Sequence, residues 1–442
     1  DFRIADLAMG SGHFLIAAID RMELQMAAFL SESPIAAVTQ ELDRLEAAAR
    51  RALGENSDDY EIEPSALLRR QIARRCVYGV DVNEIAVELA RLAVWIHTFV
   101  PGLPISSLDH TLLHGNSLTG IGDIEEALDA LEPNRQAGAM SFFATEIEDV
   151  LEDARQLLVN AANSAEATKA EVQEAAKIAA EARKLAGPSR LLFDAAIAVR
   201  TGELQLSSGS AEDIRKLASQ ADIQNRLNAL QLIHMPFAFP EVFLRTNPGF
   251  DVLLGNPPWK KPKVEEDRWW NLRFRGLLSL PMAERNSAID GLKRQNHDLL
   301  EQYERELFQS EQIRSALASG PFPGIAVGDI DVFKAFAWRN WQLLREGGAV
   351  GIVLPRKIMG SPGSSEWRKA IWNQGAVSEV TTLVNDKRWL FDMEPRYTVS
   401  LLVLERSQLK NIKLAGPFYS EAEYLERASD PYELDKETVG DW

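Results

Sequence analysis

An apolar segment near the start of the chain runs directly into a glycine turn, and this junction limits the possible folds more than any other feature. Residues 2–7 are typical of a short β-strand, residues 10–12 read GSG, and apolar residues at helical spacing follow over 14–26. A strand, a glycine turn and a helix in this order form the first unit of a nucleotide-binding α/β domain. The alternative is a tight strand-to-helix turn that binds nothing.

The glycine pattern argues against two common nucleotide classes. A dinucleotide fingerprint needs a third glycine at position 15, where this chain has Leu15, and no GxxxxGK[ST] phosphate loop occurs. A turn without phosphates to bind fits a ligand that approaches the backbone closely and needs one carboxylate contact. S-adenosyl-L-methionine is such a ligand, and we predict it as the cofactor.

A second strand and helix supply a carboxylate. Residues 77–82 predict a strand, and Asp81 stands at its end. From this position a carboxylate can accept both ribose hydroxyls of a nucleoside. The alternative is that Asp81 or Asn83 caps the following helix, but the preceding glycine turn favours the ribose contact. That helix is predicted from apolar residues at Ile85, Leu89, Leu92, Trp95 and Ile96.

The tetrapeptide NPPW at 256–259 follows the apolar run FDVLLG and indicates the chemistry. An aromatic amino nitrogen is a poor nucleophile because its lone pair is delocalised into the ring. The Asn256 side-chain oxygen and the Pro257 carbonyl can accept its two hydrogens and leave the lone pair free to attack. Pro257 and Pro258 fix the backbone, and such preplaced dipoles stabilise developing charge. Trp259 offers a flat face for an extrahelical base, although a turn closing a strand is the alternative.

These segments together resemble the amino-methyltransferase superfamily, and more closely the large DNA adenine-N6 methyltransferases of bacterial restriction-modification and phage-defence systems. The resemblance covers residues 1–19, 76–118 and 236–405. It implies an α/β fold with a doubly wound, mostly parallel sheet of the Rossmann-like class I methyltransferase type, here with large helical insertions. It also implies direct, in-line methyl transfer from S-adenosyl-L-methionine to adenine N6 of a flipped base in double-stranded DNA.

The resemblance assigns roles to individual positions. Asn256, Pro257, Pro258 and Trp259 correspond to the catalytic motif, with Trp in place of the commoner Tyr or Phe. The positions that correspond to cofactor-binding ones are Asp6, Ala8, Gly10, Gly12, Phe14, Asp81 and Asn116.

Two positions depart from the family pattern. Asn116 lies in HGNSL where the family normally has GDSL, and Met9 stands where a smaller residue is usual. We expect Asn116 to hydrogen-bond the adenine of the cofactor more weakly than an acid would.

The resemblance also implies an aromatic residue that stacks on the target base. We predict Trp259 and Phe391 for this role, and Trp389 and Tyr397 are alternatives to Phe391. Core packing would explain any one of these aromatic residues equally well.

The strand and helix pattern continues in the last third of the chain. Residues 328–348 predict a helix that returns to the buried strand AVGIVLP. A helix over 365–374 and the strands VSEVTTLV and TVSLLVLE follow. They complete a mostly parallel sheet with one antiparallel strand near its end.

The formal net charge of −17 is unfavourable for a protein that binds phosphates. Positive charge is nevertheless concentrated directly after the NPPW motif, in the predicted DNA-binding residues Lys260, Lys261, Lys263 and Arg268. Trp269 and Trp270 follow them, so this loop is predicted to hold phosphates and to fill the gap left by an extruded base. The alternative is a solvated loop, because the acidic residues of 265–267 offset about half of its charge.

The motifs divide the chain into a methyltransferase region and insertions. We predict a cofactor-binding half (1–19 and 76–122), a helical insertion (20–75), a second helical insertion with a coiled-coil hairpin (123–235), a catalytic half (236–410) and the start of a following segment (411–442). A spacer role is the favoured interpretation of the insertions, and binding of a partner subunit or of DNA is the alternative.

Composition predicts a soluble cytoplasmic enzyme. The single cysteine, Cys76, excludes a disulfide framework and leaves no zinc pattern, so no metal is predicted. No apolar run approaches the roughly 18 residues of a membrane span. Asp1 is not an initiator Met, so we expect a piece of a longer polypeptide that works with restriction or defence-system subunits.

Two other functions remain open at this stage. Release-factor methyltransferases share an NPPY-type motif, so a protein glutamine N5-methyltransferase is one alternative. A non-catalytic DNA-recognition or assembly subunit is the other, given Met9, Asn116 and the acidic charge. The recognised DNA sequence is not predicted.

Overall fold

The computed structural model describes residues 2–136, 141–206, 209–259, 261–374, 377–391 and 397–435. One nine-stranded sheet forms its centre. The strands are β1 (Ile4–Asp6), β2 (Val77–Asp81), β3 (Leu112–His114), β4 (Phe250–Gly255), β5 (Leu344–Pro355), β6 (Val377–Val384), β7 (Thr398–Glu405), β8 (Asn411–Phe418) and β9 (Tyr432–Asp435). Among the described residues, no helix has the length and apolar character needed to cross a membrane.

Helices cover the sheet and form the insertions between its strands. In the first half of the chain they are α1 (His13–Glu32), α2 (Ala36–Leu53), α3 (Pro64–Cys76), α4 (Glu84–His97), α5 (Ile124–Leu131), α6 (Phe142–Ala162), α7 (Lys169–Leu185), α8 (Gly187–Arg200), α9 (Ala211–Ala218) and α10 (Ala221–Asn228). In the second half they are α11 (Met235–Ala238), α12 (Pro240–Phe243), α13 (Glu266–Arg273), α14 (Met282–Gln295), α15 (His297–Ala318), α16 (Val332–Gln342), α17 (Ser365–Asn373) and α18 (Glu421–Arg427).

The strand order is β3-β2-β1-β4-β5-β7-β6-β8-β9. The neighbours from β3 to β5 are parallel, whereas β7 runs antiparallel to both β5 and β6. The predicted α/β class is therefore confirmed, and β7 is the predicted antiparallel strand. The order reverses between β1 and β4, and in open α/β sheets ligands bind outside the carboxyl ends of the strands at such a switch point.

Both faces of the central strands are buried, as β2 illustrates. Val77 packs with α1, α3 and α4 on one face, whereas Tyr78 and Val80 pack with the segments of α11, α12 and α16 on the other. Alternate residues of a strand point to opposite faces, and both faces of a parallel sheet are normally covered. The run CVYGVD is almost continuously apolar for this reason.

Helix α4 forms as predicted, but the face that it buries is a different one. Val87, Ala90 and Val94 pack against the sheet, and each is at most 1% exposed. Four of the five apolar residues that predicted the helix lie on the solvent side, namely Ile85, Leu89, Leu92 and Ile96, and Trp95 is half-buried. The helix is therefore apolar on two faces, which one periodic pattern could not reveal.

The second insertion has a hydrophobic core of its own, built mainly from α5, α6, α8, α9 and α10. The predicted hairpin corresponds to α6 and α7, which pack on each other. The sequence also predicts a single helix over 211–232, and this prediction is wrong, because the chain forms α9 and α10 there. Gln220 has an extended backbone (ψ 138°) that ends one helix before the next begins.

Guanidinium groups of α3 attach this insertion to the rest of the protein. Arg74 Nη2 donates to Ser164 O (2.8 Å), and Arg75 Nε donates to Ala162 O (2.9 Å) at the end of α6. Arg74 also forms an ion pair with Glu166 (3.2 Å), and both side chains are 4% exposed. Cations are favourable at a helix C-terminus, so α3 holds α6 in a defined position and the insertion packs on the protein as a fixed unit.

Met9 fits into the core because Gly79 lacks a side chain. Met9 is 4% exposed and lies over β2, where a Cβ atom on Gly79 would stand 2.3 Å from its sulfur. The large residue at position 9 therefore points into the core shared with Leu15 and Leu112.

Replacing Gly79→Ala is expected to lower the free energy of unfolding by ~1–3 kcal/mol, the usual cost of overpacking a core. Urea unfolding monitored by circular dichroism measures it. Gly351→Ala in β5 is the matched control, because no atom lies within 4 Å of the Cβ that it adds; its effect should stay within about 0.5 kcal/mol. Equal effects of the two substitutions would contradict this account.

Candidate active site

The two sequence motifs meet at the carboxyl ends of β1 and β4. These strands pair in parallel, with Ile4 opposite Val252 and Ala5 opposite Leu253. Asp6 ends β1 and Gly255 ends β4, directly before Asn256. A Cβ atom on Gly255 would stand 2.6 Å from Asp6 Oδ1, so the glycine allows the backbone of the NPPW motif to approach the carboxyl group.

Asp6 is almost completely enclosed. It is 1% exposed, and its Oδ1 accepts a hydrogen bond from Ala8 N (2.9 Å). The pKa of Asp6 is raised to about 7, mainly by burial and in smaller part by the nearby carboxylate of Asp81, against the lowering effect of the hydrogen bond from Ala8 N. A buried carboxyl group tends to stay neutral because burial disfavours the charged form.

The glycine turn is held by Asp81. Gly10 has φ +54° and donates its N–H to Asp81 Oδ2 (2.9 Å), while Asp81 Oδ1 accepts from Asn83 N (2.8 Å). Asn83 caps α4 by accepting from Ile85 N (3.0 Å), so of the two residues considered for the cap it is Asn83. Asp81 instead joins the glycine turn to the end of β2.

Gly12 is required where α1 begins. It has φ +83°, a backbone conformation that residues other than glycine rarely adopt. A Cβ atom at this position would also lie 3.3 Å from the Ala90 side chain. The start of α1 therefore packs closely on α4. Gly10, in contrast, faces open space, since no atom lies within 4 Å of its Cβ position.

The remaining predicted cofactor residues lie at the same edge. Phe14, in the first turn of α1, is 39% exposed, and Ala8 is half-buried. Asn116 follows β3, and its Oδ1 accepts from Leu118 N (3.0 Å). Ser117 Oγ donates to Leu7 O (2.8 Å) and ties this segment to the end of β1.

The NPPW motif continues from β4 into an aromatic cluster. Asn256 is half-buried, Pro257 is buried and Pro258 is exposed. The ring centroid of Trp259 lies 6.2 Å from that of Phe391 and 6.4 Å from that of Tyr397. The predicted stacking residues are thus brought together, although they come from two different segments. The Trp259 indole N–H is buried and has no hydrogen-bond partner among the described residues, which is uncommon in folded proteins.

Trp389, the other aromatic alternative, contributes to the loop instead. Its indole Nε1 donates to Val384 O (2.8 Å), and its ring packs in the small core under the loop. The described contacts therefore place Phe391 and Tyr397, and not Trp389, beside the ring of Trp259.

Asn385 organises the loop that carries Phe391, and the sequence analysis did not identify it. Its side chain is completely buried; Nδ2 donates to Phe391 O (3.0 Å), and Oδ1 accepts from Leu390 N (3.0 Å) and Phe391 N (3.4 Å). The only sequence signal was an Asn-Asp pair after a strand, which marks a turn without showing what the turn positions.

The predicted DNA-binding residues extend from the motif with much of their charge already paired. Lys261 forms an ion pair with Asp329, and Arg268 forms one with Glu265 (2.7 Å). Lys263 is exposed, and Lys260 lies outside the described residues. Lys261 and Lys263 thus lie in the segment between β4 and α13, whereas Arg268 lies in α13, and the acidic partners offset much of the positive charge.

Trp269 and Trp270 do not belong to an exposed loop, so their predicted role in filling a gap in DNA is wrong. They are 5% and 0% exposed and form a small core with Tyr303 in the helical unit α13–α15. Trp269 Nε1 donates to Glu306 (2.7 Å), and the Arg273 guanidinium lies 3.4 Å from the Trp269 ring centroid. The sequence pattern did not predict how α13–α15 pack. These helices bury the aromatic residues that alternate with basic ones in the sequence.

Part of the chain matches a known protein family. Residues 75–275 match the family model described as the Eco57I restriction-modification methylase. This region of the chain is therefore similar to a restriction-modification methylase family. The matched region begins at the end of α3, ends after α13, and includes Asp81, Asn116 and the NPPW motif.

One similar protein comes from Methanocaldococcus jannaschii. The chain is 29% identical over 179 residues to a protein described there as a candidate type II restriction enzyme and methyltransferase, RM.MjaORFECS2P. The alignment covers 38% of this chain and 12% of that protein, so the chain spans only a small part of its relative.

Two solved structures show weaker similarity. They are a DrdV–DNA complex (12% identity, TM-score 0.40) and the ATP-dependent Type ISP restriction-modification enzyme LlaBIII bound to DNA (9% identity, TM-score 0.36). Each match covers 98% of this chain, but only 27% and 19% of those chains respectively. Scores at this level do not establish a shared fold.

The buried Asp6 predicts a defined dependence of stability on pH. Its pKa is raised from 3.8 to about 7 in the folded state, so the folded protein keeps a proton that the unfolded chain loses in this interval. The stability due to Asp6 is present below about pH 4 and is lost as pH rises to about 7, at up to about 1.4 kcal/mol per pH unit. Asp6→Asn, which keeps the acceptor for Ala8 N, should gain stability relative to the parent protein over that interval.

Urea unfolding of both proteins at several pH values between 4 and 8 measures this difference, and the subtraction cancels the titration of other groups. A difference that stays constant over the interval would show that Asp6 is not protonated when folded.

The role of Asn385 in holding its loop can be tested by proteolysis. Asn385→Ala removes three hydrogen bonds from a buried site, so local opening should expose Lys387 and Arg388 to trypsin about tenfold more often. Mass spectrometry of the fragments measures cleavage after these residues. Asn411→Ala is the control, because its side-chain bond to Glu433 (3.4 Å) is exposed. Unchanged cleavage in Asn385→Ala would contradict the positioning role.

Proposed function

We propose that this protein transfers a methyl group from S-adenosyl-L-methionine to adenine N6 of a flipped base in double-stranded DNA, within a restriction-modification or phage-defence system. The proposal includes a Rossmann-like class I methyltransferase fold for residues 1–19, 76–122 and 236–410, interrupted by insertions at 20–75 and 123–235, with 411–442 as the start of a following segment. Restriction or defence-system subunits are the protein partners that this assignment implies.

The single observation that carries the proposal is the contact between Asp6 and Gly255. The glycine turn and the NPPW motif lie far apart in the sequence, yet they adjoin at the switch point of the sheet. A transferase needs its donor and acceptor sites at bonding distance, since correct positioning of reactants supplies a large part of catalysis.

The residues at the carboxyl edge fit the proposed cofactor. Gly10 leaves open space next to the backbone, and no basic side chain of the kind that binds phosphates stands in the turn. The carboxylate of Asp81 keeps lone pairs for ribose hydroxyls beyond the bonds that it accepts from Gly10 and Asn83. We assign Asp6, Ala8, Gly10, Gly12, Phe14, Asp81 and Asn116 to this site.

When bound, S-adenosyl-L-methionine supplies an electrophilic methyl group. The chain supplies the hydrogen-bond acceptors: the Asn256 side-chain oxygen and the Pro257 carbonyl accept the two amino hydrogens. The nitrogen lone pair is then no longer delocalised into the ring and can attack the methyl group. Trp259, Phe391 and Tyr397 offer faces on which a flipped base can stack.

The choice of DNA as the substrate rests on the family of residues 75–275 and on the loop after the motif. Restriction-modification methylases act within DNA-modifying systems, which favours DNA over a protein amide. Lys261, Lys263 and Arg268 are the described cations that lie closest in sequence to the motif, and their ion pairs with Asp329 and Glu265 can exchange for phosphates.

Asn256→Ala should reduce methyl transfer at least ~100-fold, because an aligned dipole that stabilises developing charge is lost. Binding of S-adenosyl-L-methionine, measured by calorimetry, should be unchanged. Transfer is measured as labelled methyl groups in unmodified genomic DNA, and digestion with mass spectrometry identifies N6-methyladenine. Asn247→Ala is the matched control, since its side chain bonds to Glu346 O (3.0 Å) near the opposite end of β4.

Full transfer by Asn256→Ala would refute the catalytic role. Methylation of a protein amide, or of another base, would refute the assigned substrate.

A further inference from the structure

Helix α4 carries an apolar surface that the described protein does not cover. Its members on the helix are Ile85, Leu89, Leu92 and Ile96, and Val82 and Phe99 flank the helix on either side; all six are 48–70% exposed. We call this row of side chains the α4 seam. Single exposed apolar residues are ordinary, but contiguous apolar patches mark sites of interaction.

The spacing within the seam is that of a coiled coil. Within the helix, Ile85, Leu89, Leu92 and Ile96 are separated by four, three and four residues. This is the repeat of the a and d positions of a heptad, which inserts apolar side chains between those of a facing helix.

The opposite face fixes the helix rigidly to the sheet, so the seam is preformed. Val87, Ala90 and Val94 are buried against β2 and α1. Asn83 caps the first turn, and His97 in the last turn contacts Asp20 of α1 at 2.6 Å. A partner would therefore meet an ordered surface and would not have to order it.

Charge along the seam indicates what kind of helix fits. From α4 to the following loop the carboxylates are Glu84, Glu88 and Asp109, and the side chains of Glu88 and Asp109 are 64% and 75% exposed. Arg91 is the one arginine or lysine in this stretch, and it is bound to both Glu88 (2.6 Å) and Asp109 (3.3 Å). A second copy of the protein would bring the same carboxylates against each other, and both copies carry a net charge of −17.

We infer that the α4 seam is a docking site for an amphipathic α-helix with Leu or Ile at its a and d positions and Lys or Arg beside them. The apolar contacts supply affinity, and the basic flanks pair with Glu84, Glu88 and Asp109. Complementary charges beside a coiled-coil seam select the partner. This inference is independent of the proposed methyl transfer.

The test uses the full chain and labelled peptides of three heptads with Leu at a and d. One peptide has Lys at the e and g positions and the other has Glu there. Fluorescence anisotropy should show at least about tenfold tighter binding of the Lys peptide. Leu89→Gln combined with Ile96→Gln should weaken that binding at least about tenfold.

Both substitutions are on the surface, so the circular dichroism spectrum should not change. The matched control combines Leu272→Gln with Leu425→Gln, which are exposed apolar residues (79% and 71%) on other helices. This control should bind the Lys peptide as the parent protein does.

Three results would overturn the inference. They are equal binding of the two peptides, unchanged binding by the seam variant, and concentration-dependent dimers in light scattering that the seam variant abolishes. The last result would show that a second copy occupies the seam.

Discussion

The parallel pairing of β1 with β4 is the interaction on which the rest of the site depends. It places a buried carboxyl group, Asp6, against a glycine, Gly255, and nothing larger than a hydrogen atom fits at that position. Through this contact the glycine turn and the NPPW motif share one edge of the sheet. The cost is a carboxyl group in an apolar environment, which raises its pKa to about 7. Such perturbed groups are common at functional sites.

Hydrogen bonds and close packing then fix the loops around this contact. Asp81 holds the glycine turn, Ser117 holds the segment after β3, and Asn385 holds the loop that brings Phe391 to Trp259. Each uses a side chain to satisfy backbone groups of an irregular segment, which preorganises the edge before any ligand arrives. Guanidinium groups of α3, the last helix of the first insertion, donate to the end of α6 and join the two insertions. The second insertion also reaches this edge, where Asn116 N donates to Gln231 O (2.7 Å).

Short-range patterns predicted the local structure well where one principle dominated. The glycine turn, the strands β2 and β4 and the antiparallel β7 follow from runs of apolar residues bounded by turn residues. Prediction failed where two surfaces compete for the same residues. Apolar residues lie on both faces of α4, and the exposed face has the clearer helical periodicity in the sequence. Trp269 and Trp270 were assigned to a loop because their burial needs Tyr303, which belongs to a different helix. A break between α9 and α10 depends on one backbone angle at Gln220, which composition does not signal.

The amino-acid sequence by itself determined the α/β class, the positions of the glycine turn and the NPPW motif, and the residue types offered to a ligand. These are local properties, since they depend on neighbouring residues and on the spacing of apolar side chains. Only the tertiary structure decided that Asp6 meets Gly255, that Asn385 holds Phe391 beside Trp259, and that the α4 seam faces outward. Contacts between distant segments depend on strand order and on which face each helix buries, and that choice is made by packing the whole chain at once.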